Sequence, residues 1–166
     1  MSIGVAVIGA GMAGRGHAAA YRAATSLYGS DLPDVKLVSI GDVNAQFGEA
    51  AAKRFGFVGP ASHLNGLVSR PDGLHMWIAT RSAGKAVEPG KLDNMVAGGI
   101  PAGMDETTTL VKECFEEAGM SPALAGRAER MGVVEFVRAV PEGVDAQRIV
   151  VFDIELPADF VPLNQD

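Results

Sequence analysis

Residues 98–120, GGIPAGMDETTTLVKECFEEAGM, constrain this chain more than any other stretch. They read as a glycine-rich loop, a helix and a glycine stop. Gly98 and Gly99 lead into a turn with Pro101 and Gly103, Asp105 is placed to cap the helix, and Gly119 to end it. Within the helix Glu113, Glu116 and Glu117 stand at i, i+3 and i+4 and so share one face, leaving Thr107, Val111, Cys114 and Ala118 on the opposite side to pack down. Three like charges on one face repel one another. A hard divalent cation, Mg²⁺ or Mn²⁺, is the natural partner of such carboxylate oxygens. A bare E-x-x-E-E also serves as a solvated acidic face, so its surroundings decide.

Those surroundings follow the spacing G-x(13)-[KR]-E-[apolar]-x-E-E-x-G-[apolar], carried by Gly98, Lys112, Glu113, Cys114, Glu116, Glu117, Gly119 and Met120. The pattern resembles the box of the Nudix hydrolases. The resemblance implies that Glu113, Glu116 and Glu117 hold metal, and the general base is then Glu113, Glu117 or an acid of a neighbouring loop. It implies that Lys112 stands where the family has Arg, which keeps the charge but loses the bidentate fork. The family's first Glu falls on Met104, with Asp105 one place later. The flanks KLDNMVAGGIPAG and DIELPADFVP resemble one Nudix branch, related to the C-terminal part of fungal thiamine pyrophosphokinase proteins. The function implied is Mg²⁺-dependent pyrophosphohydrolysis of a small-molecule diphosphate of nucleoside or thiamine type.

The N-terminus carries a second pattern. Residues 3–8 form an apolar run suited to a buried parallel strand. Gly9, Gly11 and Gly14 then make a G-x-G-x-x-G ahead of an Ala-rich helix over 16–25. In this strand–turn–helix context the glycines permit a tight turn, approach of a pyrophosphate and close helix–strand packing. A strand over 35–40 ends at Asp42, an acceptor for ribose hydroxyls, after an extended loop over 28–33, and a helix over 44–55 follows. Residues 1–56 resemble the N-terminus of the Gfo/Idh/MocA oxidoreductases, on Gly9, Gly11, Gly14, His17 and Asp42-Val43-Asn44. The resemblance implies NAD(P) at the glycine turn. No E-K-P motif follows, and Lys91 comes after Pro89-Gly90 instead. His17 reads as a helix residue packed near the turn.

From residue 62 the pattern is antiparallel. Strands over 63–69 and 74–80 flank Arg70-Pro71-Asp72-Gly73, a hairpin turn. The second carries the sole tryptophan, Trp77, and His63 and His75 read as strand residues rather than metal ligands. Arg81 and Lys85 lie in a polar loop as candidates for substrate phosphates. A strand over 93–96 feeds the glycine-rich loop. A helical connection over 121–130 leads to strands over 132–140 and 148–156, with Glu135 and Asp153 as candidate neighbours of the metal face.

The expected fold class is therefore α/β: a partial doubly wound β-α-β-α unit over 1–57, then a Nudix-like mixed sheet with its helix over 58–166, ending early for that fold. Alternative readings are an NAD(P)-binding oxidoreductase fragment and a non-catalytic truncated fusion. A net charge of −6 argues against a nucleic-acid or anionic-membrane surface. No apolar run reaches a membrane span. The lone Cys114 forms no internal disulfide and suits a reducing cytoplasm. Oligomeric state is left open.

Overall fold

A computed structural model of the chain describes residues 2–28, 34–84 and 88–163. It divides into two compact units, Met1–Val58 with Val137–Ala146, and Gly59–Phe136 with Gln147–Asp166. None of the described helices is long and apolar enough to cross a membrane.

In the first unit, β1 (Ser2–Ile8) and β2 (Asp34–Gly41) pair in parallel, with α1 (Met12–Tyr28) between them in sequence and α2 (Ala45–Phe55) after them. A parallel pair needs such a crossover, and the apolar run of β1 supplies strand-forming residues. The register runs from Ser2↔Asp34 to Ile8↔Gly41, with a shift between Val5 and Ala6. Gly9 takes φ +98, and its N–H donates to Gly41 O at 2.7 Å, closing the turn onto β2. The helix begins at Met12, four residues before the expected start, so the second half of the glycine motif is its first turn. A Cβ on Gly14 would fall 1.5 Å from the Gly9 carbonyl oxygen, which excludes any side chain there. The described interior of the residues 2–58 is small: Val7, Ala10, Ala18 and Ala51 are buried, whereas Ile8, Met12 and Val43 face outward. The expected loop over 28–33 lies, from residue 29, outside the described residues. In the hairpin tip of this unit, Arg138 Nε donates to the buried Asp145 at 2.9 Å.

The second unit is built around β3 (Val58–Arg70). Its residues alternate, with Ser62, Leu64, Gly66 and Val68 buried and His63, Asn65 and Leu67 half-buried. That period of two marks a strand with one face in the core. Different stretches of β3 pair antiparallel with β4 (Gly73–Met76) and with β7 (Val96–Gly99). The sheet continues through β9 (Gly143–Glu155) to β8 (Glu129–Val140) in the order β4-β3-β9-β8. Two further strands, β5 (Ile78–Thr80) and β6 (Leu92–Asn94), form a separate antiparallel pair.

Helix α3 (Glu106–Ala118) contributes Leu110, Cys114 and Ala118 to a core with Leu64, Val68, Val150, Phe152 and Ile154. Burying each of the larger side chains stabilises the fold by about 1.5–3 kcal/mol. Glycine makes room for one member: a Cβ on Gly66 would stand 2.4 Å from Met95 Sδ.

Three expectations are corrected. The strand over 74–80 is broken at Trp77, whose N–H donates to Gly66 O at 2.9 Å, so that residues 73–76 pair with β3 and 78–80 with β6. The strand over 93–96 is likewise split at the buried Met95 into β6 and β7. Of the helical stretch over 121–130, α4 (Pro122–Ala125) alone is helical, started by a Ser121 cap on Leu124 N–H, because β8 claims the chain from Glu129.

Candidate active site

Capping fixes where α3 starts and stops. Asp105 accepts the N–H groups of Thr107 and Thr108 at 2.9 and 2.8 Å and the Thr108 hydroxyl at 2.8 Å. The Thr108 N–H bond, first among these, holds its carboxyl below the usual carboxylate range. Gly119, at φ 62, ends the helix in the left-handed conformation that favours glycine. With both ends set, the buried stripe is Thr109, Leu110, Cys114 and Ala118, and burial pushes the Cys114 thiol up to about 12. Thr107 is exposed and Val111 half-buried, which rotates the expected packing face toward Leu110 while Cys114 and Ala118 stay on it.

That rotation separates the three carboxylates. Glu113 and Glu117 border the buried stripe and are themselves half-buried, while Glu116 is exposed. The side chain of Glu113 lies over Gly98, where a Cβ would come within 2.2 Å of Glu113 Cγ. Glu117 Oε2 accepts the Ala97 N–H at 3.0 Å. Both acids thus rest on consecutive residues of β7. On the solvent side, Lys112 Nζ donates to Glu116 at 2.5 Å and to Glu113 at 3.3 Å. The Glu116 hydrogen bond, above all, raises the Lys112 pKa. Among the described residues no three His, Cys, Asp or Glu side chains converge as a metal-holding group. The donor set still fits a hard cation. Mg²⁺ commonly takes one or two carboxylates and completes its shell with water and substrate phosphate. The missing Cβ of Gly98 leaves the slot in which Glu113 lies.

Glu117 also lines a cavity of about 300 Å³, with Trp77, Arg81, Asp93, Asn94 and Pro162 among its walls. Arg81 Nη1 donates to Asp93 at 2.6 Å, and both side chains are largely buried. The Arg81 N–H donates to Lys91 O and its carbonyl accepts the Gly90 N–H, so the ends of this loop are closed on each other. Arg81 therefore reaches the cavity already held by a carboxylate; Lys85 lies outside the described residues.

A polar chain went unread in the sequence. Asn65 Nδ2 donates to Asp153 Oδ1 at 2.8 Å, Asn94 Nδ2 donates to Asn65 Oδ1 at 2.6 Å, and His63 Nδ1 meets Asn94 Oδ1 at 2.8 Å. The available signal was His63 and Asn65 two apart on one strand, hence on one face. Asp153 thus bonds to Asn65, and Glu135 pairs with Arg148 at 3.5 Å. His75 contacts Asp72 at 3.0 Å beside the hairpin turn, and is exposed.

In the first unit Gly9, Gly11, Gly14 and Asp42 do come together as a turn. Asp42 Oδ1 accepts the Asn44 N–H at 2.8 Å and Oδ2 the Ala10 N–H at 2.7 Å. These bonds, Asn44 first, hold its carboxyl below the usual range. Each Asp42 oxygen thus accepts one backbone N–H, and a carboxylate oxygen has a second lone pair that a ribose hydroxyl could use. His17 is exposed on α1.

Over 117 residues, 70% of its length, the chain is 48% identical to Nudix hydrolase 24, chloroplastic, and 45% identical to Nudix hydrolase 20, chloroplastic, both from Arabidopsis thaliana. These relatives support the Nudix hydrolase family. The chain spans about a third of their lengths, 32% and 31%. A MutT/nudix family protein from Enterococcus faecalis superposes with a TM-score of 0.55 at 12% identity, over 91% of this chain and 51% of that one, so the likeness is of Nudix fold. No protein-family model matches the sequence.

Proposed function

We propose that this chain is a Mg²⁺- or Mn²⁺-dependent Nudix pyrophosphohydrolase that cleaves the diphosphate linkage of a small nucleoside- or thiamine-type molecule. One observation carries the reading: Glu113 and Glu117 are seated side by side on Ala97 and Gly98, and Glu117 opens onto a cavity. In this reading Glu113 and Glu117 hold the cation, and Glu116 joins them when it leaves Lys112. A cation held there would neutralise phosphate charge and lower the pKa of a water at the site. Glu113 or Glu117 takes the proton from the attacking water. Lys112 keeps the carboxylates from repelling one another until metal arrives, a task for a point charge rather than a fork. The relatives' family supports the hydrolase class, and the carboxylate oxygens support the metal.

The domain division that accompanies this proposal places the catalytic part within 58–166 and a Rossmann-like segment within 1–57. The glycine turn over 9–14 is given a structural role, because Gly14 packs directly against the Gly9 carbonyl, with NAD(P) binding there kept as the second reading since Asp42 retains acceptor capacity.

The test is cleavage of nucleoside, sugar, dinucleotide and thiamine diphosphates with and without Mg²⁺, read as inorganic phosphate from the terminal diphosphates and as phosphomonoesters from the sugar and dinucleotide ones. Glu117→Gln is expected to lower kcat by at least about 100-fold, the scale of a lost acid–base group. Wild-type rates in that variant would remove the assignment.

A further inference from the structure

The chain from Asp153 to His63 has a direction that a single residue determines. An ionised carboxylate only accepts, so Asn65 must turn its NH₂ toward Asp153. Its carbonyl oxygen then faces Asn94, which must in turn donate its own NH₂. Asn94 Oδ1 is left facing His63, which must donate from Nδ1. Asn and Gln orientations are ordinarily ambiguous; here the carboxylate sets every one. Asn94 sits in β6 opposite Ile78, and both line the cavity that Glu117 also lines. After these bonds, one Asn94 N–H and one lone pair on Oδ1 stay unused by the described residues.

We propose that Asn94 is the specificity-determining side chain of this cavity, presenting an adjacent donor and acceptor to the matching edge of a nitrogen heterocycle on the substrate. Asn65 and Asp153 are positioning residues that hold its carboxamide in one orientation. The inference rests on the hydrolase reading for its substrate, and not for the binding itself. A fixed carboxamide is worth more than a free one: its flip entropy is already lost, and a ligand lacking the edge leaves buried polar groups unpaired. Trp77, the sole indole, lines the same cavity and reports its occupancy.

The experiment compares wild type with Asn94→Ala, Asn94→Asp and Asn65→Ala, after thermal melts show which variants fold. ADP, CDP and thiamine diphosphate carry such a ring, and dimethylallyl diphosphate does not. Turnover is followed in Mg²⁺, and Trp77 fluorescence in EDTA reads binding without turnover. Asn94→Ala is expected to raise KM for the ring-bearing diphosphates about tenfold or more while leaving dimethylallyl diphosphate within about twofold. The near-isosteric Asn94→Asp, whose carboxylate would face Asn65 Oδ1, should do the same, and Asn65→Ala less strongly. In ¹⁵N spectra neutral His63 should carry its proton on Nδ1 in wild type. Equal losses for both substrate types, or a His63 proton on Nε2, would overturn the proposal. Fluorescence binding that depends on Asn94 without any phosphate release would support it while removing the hydrolase reading. Neither binding nor release from wild type would remove both.

Discussion

Gly98 shows how much one absent methyl group does. Its alanine variant would place Cβ 2.2 Å from Glu113 Cγ, so the acid must leave its seat on β7. Gly98→Ala is expected to destabilise the fold by about 1–3 kcal/mol through overpacking. It should also lower metal-dependent turnover more than it lowers affinity for the metal-free organic part. Urea unfolding and steady-state kinetics check the two effects separately. Sequence spacing put Gly98, Glu113 and Glu117 into one candidate site, and they do lie together, because the interval between them is rigid once a helix is assumed. It did not separate Glu116 from its neighbours. Which of three clustered acids turns inward depends on where β7 lies, and that is a tertiary fact. The polar chain escaped for the same reason: Asn94 and Asp153 are 29 and 88 residues from Asn65, and no local period connects them.

At the scale of elements, α3 was legible because its two ends announce themselves. Asp105 and Gly119 act at the positions their chemistry allows. The hairpin at Arg70–Gly73 was legible through its turn residues, and Gly73 indeed takes φ +136. The breaks at Trp77 and Met95 were not, since nothing in an apolar run says that its two halves will pair with different strands. The Asp105 cap gives α3 a pH dependence with a definite sign. Its folded pKa lies below the ordinary 3.8, so the cap's contribution is fully present above that value and is lost as pH falls through the folded pKa. The gap in Tm between wild type and Asp105→Ala should therefore be widest near neutrality and close below about pH 4. A gap that stays constant from neutrality to pH 2 would show that the carboxylate is not the cap.

For the whole molecule, the two units differ in how they are made. The second has a core of large side chains drawn from β3, β9 and α3, whereas residues 2–58 bury chiefly alanines around a glycine turn. Small side chains give little apolar burial per residue and depend on close backbone approach. Gly14→Ala, with its Cβ 1.5 Å from the Gly9 oxygen, should cost the first unit helix content by circular dichroism. The metal-dependent turnover assigned to the second unit should stay within about twofold, since Glu113 and Glu117 are held by Gly98 and Ala97 of that same unit. A parallel loss of turnover would place the glycine turn in the catalytic machinery.

The thiol of Cys114 gives this helix a clock. It is fully buried, and at a pKa of about 12 it holds almost no thiolate at neutral pH, so a thiol reagent reacts only when α3 lifts from the sheet. Labelling rate then measures the opening frequency of one helix in an otherwise folded chain. A cation gripping Glu113 and Glu117 above β7 should slow labelling in proportion to its affinity for the closed form. Time courses in EDTA, Mg²⁺ and Mn²⁺ would rank the ions without a substrate.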